Sequence, residues 1–107
     1  MSRNYRLLLK DILTAIKRIE KYTKGLTLIK FSENDLVLDA AVRNLEVIGE
    51  ASKNLPDEVK AKYKDIEWKK IAGLRNIIAH EYFGIDVVIV WDIIKTKLPE
   101  LKKALKQ

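Results

Sequence analysis

Along most of this chain apolar residues return every three or four positions, a repeat that gathers them on one side of an α-helix and on no single side of a β-strand. In the first segment the row is Tyr5, Leu9, Ile12, Ile16 and Ile19, widened by Leu8, Ala15 and Tyr22. Lys10, Lys17, Arg18, Lys21 and Lys24 then fall mostly outside. The pattern predicts a helix of about five turns from Tyr5 to Lys24. Gly25 stops it, with Lys24 favourably placed for the helix dipole.

Leu26 to Phe31 reads as a short connection packed under or beside the helices. Ser32 followed by Asp35 resembles a capping box, so a second helix is expected from near Glu33 to about Asn54, stopped by Pro56. That helix is apolar on two adjoining stripes, Leu38, Ala41, Leu45, Ile48, Leu55 and Val37, Ala40, Val47, Ala51, so it should meet more than one neighbour. Its other side carries Asp39, Arg43, Glu46 and Glu50 at spacings that pair opposite charges on a solvated face. Asn44 lies in line with the second apolar stripe, where a polar group needs a partner or lines a cleft.

Pro56-Asp57-Glu58 opens a short helical turn ending near Tyr63. A further helix is expected from Glu67 or Trp68, capped by Asp65, through to Ala79 or His80. Ile85 to Trp91 is rich in β-branched residues, yet Val87, Val90, Trp91, Ile94, Leu98, Leu101 and Leu105 keep helical spacing and no second strand exists to pair with. The last helix should start after an Asp86 cap and be kinked or broken just before Pro99, which cannot donate to the carbonyl of Lys95. The expected architecture is all-α: an antiparallel bundle of four main helices plus a short helical turn, one domain over residues 1–107, with a broad apolar face suited to dimerisation.

Composition narrows the chemistry. The absence of cysteine removes disulfides and thiolate metal sites, and a single histidine argues against zinc, so no metal or bound cofactor is expected. No apolar run approaches the roughly 20 residues needed to cross a bilayer, and Met1 to Lys10 lacks a signal-peptide core. The sequence thus reads as a cytoplasmic protein without a membrane partner. A net charge of +6 and a pI near 9.5 favour approach to a polyanion such as RNA, although lysines are also ordinary solvated helix residues.

The reactive groups concentrate in Gly73 to Phe83, which holds the sole histidine, an arginine five residues before it and a tyrosine two after it. On a helix, Trp68, Ala72, Arg75, Ala79 and Tyr82 form one stripe, and Ile71, Leu74 and Ile78 form an ordinary core stripe. Arg75 and His80 would point about 140° apart on a continuous helix. They meet only if the helix ends near His80, or if a two-fold related chain supplies its own pair to a shared cleft. Asn76, four before His80, can hydrogen-bond the imidazole. A near-neutral histidine can move the proton of a ribose 2′-hydroxyl or of a leaving 5′-oxygen, and an arginine fork matches a phosphate. The same residues are equally those of a salt-bridged arginine, a histidine cation at a helix C-terminus and a half-buried tyrosine.

The string Arg75-Asn76-Ile77-Ile78-Ala79-His80-Glu81-Tyr82 resembles the R-x4-H-x-Y signature of the HEPN superfamily, most closely its HepT-like toxin branch. Phe31, the run Asp39 to Ala51, Trp68, Trp91 and Leu98-Pro99 extend the likeness over nearly the whole chain. The resemblance implies an all-α homodimer whose motif faces a cleft between protomers, and a metal-independent endoribonuclease acting on RNA. By position it makes Arg75 and His80 the catalytic pair and Asn76 their polar support. It also makes Tyr82 the residue that a nucleotidyltransferase antitoxin, in a HepT/MntA-type pair, modifies with AMP drawn from ATP (AMPylation). Asn44, Glu46 and Glu50 would border the cleft. The alternative expectation is a non-catalytic nucleotide- or partner-binding subunit of a minimal nucleotidyltransferase, and a third is a purely structural bundle.

Overall fold

The computed structural model describes residues 4–74 and 86–106 of the chain. Seven α-helices occur there: α1 (Asn4–Thr23), α2 (Leu28–Glu33), α3 (Asp35–Lys53), α4 (Asp57–Lys60), α5 (Trp68–Ala72), α6 (Val87–Asp92) and α7 (Leu98–Leu105), the last two joined by a π-helical turn, Ile93–Lys97. No strand occurs among the described residues, so the fold is all-α as the periodicity requires.

The helices α1 and α3 form the frame. Ile12, Ile16 and Ile19 of α1 and Leu45 and Ile48 of α3 are completely buried, and the two helices pack principally on each other. Burying a side chain of this size contributes about 1.5–3 kcal/mol relative to leaving it in water. Gly25 follows α1 at φ +77, the left-handed conformation that glycine adopts without strain, and turns the chain back. As its double stripe predicts, α3 touches several neighbours: α1, α2 and α5. Those contacts consume most of its apolar face inside the protomer. What remains outside is narrower, with Leu36 and Val47 exposed beside Asp39, Arg43, Glu46 and Glu50.

Local expectations between α1 and α3 need correction. Leu26 to Phe31 is not a plain connection, because Leu28–Glu33 is helical and capped by Thr27, whose hydroxyl accepts from the Lys30 amide at 3.1 Å. Phe31 drives this turn, since it is fully buried and stacks at 4.9 Å on the ring of Trp91. Ser32 therefore lies inside α2, and its hydroxyl donates to the Ile29 carbonyl at 2.7 Å instead of capping α3. The cap is Asn34, whose Oδ1 accepts from the Val37 amide at 3.0 Å.

At the other end Asp86 caps α6 as expected, its Oδ1 accepting from the amides of Val88 and Ile89 at 3.0 and 3.2 Å. Pro99 widens the helix instead of breaking it. The amide of Leu98 donates to the carbonyl of Ile93, five residues back, so one extra residue enters the turn that Pro99 would otherwise crowd. Ile93, Ile94, Leu98 and Leu101 all stay buried across the join, which favours continuing the helix over ending it.

Candidate functional site

The Arg-to-Tyr motif is entered from α5 and left at Asp86. Trp68 anchors the entry: its Nε1–H donates to the Lys60 carbonyl at 3.2 Å, and its ring meets Tyr63 edge-on at 6.3 Å. No side chain caps α5, so the Asp65 cap expected from sequence is not made. Glu67 precedes the helix and pairs with Lys70 at 2.9 Å, a hydrogen bond and charge that lower its carboxyl pKa. Ile71 and Leu74 are both buried, but α5 ends at Ala72 with a turn at Gly73 between them, so the single helix expected to run from Trp68 to Ala79 or His80 is interrupted. Arg75, Asn76, His80 and Tyr82 lie outside the described residues, as does Ile78.

The three residues suggested as cleft-lining part company. Asn44 is buried and donates from Nδ2 to the Ala40 carbonyl of its own helix at 2.8 Å, which supplies the partner that its apolar stripe demanded. Glu46 and Glu50 instead border a shallow depression of about 280 Å³ on the outer side of α3, shared with Arg43 and Val47. A single helix thus brings one cation, two carboxylates and one aliphatic side chain to this shallow surface.

A second concavity was not foreseen. Among the described residues, Ile71 of α5 and Leu74 just beyond it face Ile89, Ile93, Leu101 and Ala104 across about 770 Å³. Lys70, Lys97 and Glu100 stand on its rim, giving a mixed-charge edge around an apolar floor. The signal was present in the sequence as a second row, Ile89, Ile93 and Lys97 continuing to Leu101 and Ala104, running beside the row that packs into the core. Among the described residues no helix is long and apolar enough to cross a membrane.

Comparison with known proteins matches residues 12–107 to the family model described as Ribonuclease HepT-like. A Thermococcus cleftensis protein named "Probable ribonuclease HepT" is 38% identical over 102 residues, covering 95% of this chain and 93% of its own length. A Methanocaldococcus jannaschii protein named "Putative RNase MJ1380" is 36% identical over 104 residues, covering 97% of this chain and 95% of its own. The chain spans only 47% of a third relative, from the same organism, whose name joins a gamma-glutamylcyclotransferase to an RNase, at 40% identity. No solved structure gives a significant match. The helical frame, the Arg75 to Tyr82 string and these relatives converge: the chain belongs to the HepT-like ribonuclease family.

Proposed function

We propose that this protein is a metal-independent endoribonuclease toxin of a toxin–antitoxin pair, acting in the cytoplasm. The observation that carries the reading is family membership together with an unbroken Arg75-x4-His80-x-Tyr82 string in the matched region. In this reading the Arg75 guanidinium holds two non-bridging oxygens of the scissile phosphate and balances the charge that grows on them in the transition state. His80 accepts the proton of the ribose 2′-hydroxyl or donates one to the departing 5′-oxygen, and Asn76 fixes the imidazole.

Two copies of the chain complete the site, since one protomer has a single histidine for two proton transfers. The exposed strip of α3 supports self-association: Leu36 and Val47 supply apolar area, and Arg43 among Asp39, Glu46 and Glu50 supplies charges that a two-fold axis can pair across the interface. Control falls to Tyr82. A partner nucleotidyltransferase transfers AMP from ATP to its hydroxyl, with pyrophosphate leaving, and the added phosphate occupies the anion site at Arg75 and repels RNA.

The purified protein is expected to cut RNA in the presence of EDTA. His80→Ala and Arg75→Ala should each lower cleavage by about 10²–10⁴ without changing the melting temperature. Cleavage that persists in both variants defeats the catalytic assignment. Intact mass after co-expression with the partner enzyme should show AMP increments that Tyr82→Phe removes.

A further inference from the structure

The outer face of α1 is a cationic ladder that the chemistry above does not use. Arg6, Lys10, Lys17 and Lys21 are all exposed, and Lys24 continues the line just beyond the helix. At 100° per residue these five fall within about 60° of arc, opposite the buried row Ile12, Ile16 and Ile19. The ladder from Arg6 to Lys21 runs about 22 Å along the axis. Among the described residues none of the five is ion-paired with an acid. The helix has two acids. Asp11 lies well off the arc, and Glu20, which borders it, is taken by Lys102 of α7 at 2.8 Å.

We infer that this face is a binding track for the phosphate backbone of RNA, lying on α1 and separate from the groups that cut. The inference rests on the ribonuclease reading for the identity of the polyanion. The outer side of α3, the other long helix, does not share this charge pattern, since it carries Asp35, Asp39, Glu46 and Glu50 against Arg43 and Lys53. Nor does it suit insertion into a lipid surface, since the apolar face of α1 is already buried in the core. Lysines dominate the ladder. As flexible point charges they suit sequence-blind contact with successive phosphates better than the fixed pairing an acidic protein groove would ask of arginines.

The test uses a labelled 2′-O-methyl RNA, whose blocked hydroxyls prevent cleavage, titrated with the full-length protein across a salt series. A triple variant, Lys10→Gln, Lys17→Gln and Lys21→Gln, is expected to bind roughly tenfold more weakly at 0.1 M salt. The slope of log K against log salt should fall by about two, the value for three lost phosphate contacts on a single strand. The matching Lys→Arg triple should bind like the parent. A control triple, Lys30→Gln, Lys53→Gln and Lys62→Gln, removes the same charge from other exposed sites. Equal loss in the control would reduce the track to net charge and overturn the inference, as would unchanged RNA affinity in the α1 triple. Unchanged RNA affinity with lost binding to phosphatidylserine vesicles would assign the face to lipid instead. Binding to uncleavable RNA is independent of His80, so a protein that binds through α1 yet cuts nothing would refute the catalytic reading and leave the track standing.

Discussion

The helices α1 and α3 are near equals in length and share one core, yet their outward sides are opposites. One presents a cationic ladder without acidic partners among the described residues; the other presents acids interleaved with Arg43 and two exposed aliphatics. Packing demands only that the inward stripe be apolar, so it leaves the outward stripe free to be shaped by something other than folding. An unbalanced ladder raises self-repulsion without improving the core, and that is the pattern expected where a polyanion is met. Charges of both signs beside Leu36 and Val47 suit a surface that meets its own copy.

The largest effect should come from breaking what the two helices have in common. Ile16→Ala in α1 and Ile48→Ala in α3 each empty a fully buried site, and each should cost about 2–5 kcal/mol in denaturant unfolding. A much smaller loss at one of them would mean that the core is not shared evenly. Next comes the outward difference. Lys17→Glu should weaken RNA binding roughly fivefold while Lys53→Glu on α3 leaves it within about twofold, and equal effects would erase the contrast.

The smallest effect concerns two buried hydroxyls. Thr23, at the end of α1, donates to the Ile19 carbonyl at 2.8 Å, whereas Ser52 of α3 is fully buried and its Oγ has no hydrogen-bond partner among the described residues. Thr23→Val should therefore lower stability by about 1 kcal/mol. Ser52→Ala should leave it unchanged or raise it by up to about 1 kcal/mol, since a buried donor without a partner carries an unrelieved desolvation cost. Thermal melting of the two variants checks the sign of each.

Some of this was legible from residues alone. The extent of α1 followed from its row of aliphatics and from Gly25, because a period and a left-handed glycine are both local properties. The Asp86 cap was equally plain. The cap of α3 was not: Ser32 before Asp35 and Asn34 before Val37 are both plausible starts, and choosing between them required knowing that Phe31 must reach Trp91. The Ala40 carbonyl as partner of Asn44 belongs to the same class, as does the cavity between α5 and the C-terminal helices. Of the site, the residue types of Arg75, Asn76, His80 and Tyr82 carried the chemistry in the string itself, while the α1 ladder became meaningful only once its opposite face was seen to be buried.

By itself, then, the sequence determined the helical class, the long frame helices, the Asp86 cap and the reactive string, since each depends on residues a few positions apart. Tertiary structure decided what neighbours alone could not. It made Leu28–Glu33 a helix so that Phe31 could be buried, and it carried the chain through Pro99 by a π-turn because the four aliphatics Ile93, Ile94, Leu98 and Leu101 across the join had a common core to fill. It also spent most of α3's apolar face inside the protomer and paired Glu20 with Lys102, which leaves α1 its uninterrupted line of positive charge. Periodicity can say which side of a helix faces inward; only packing between distant segments says what covers that side and which charges survive unpaired on the other.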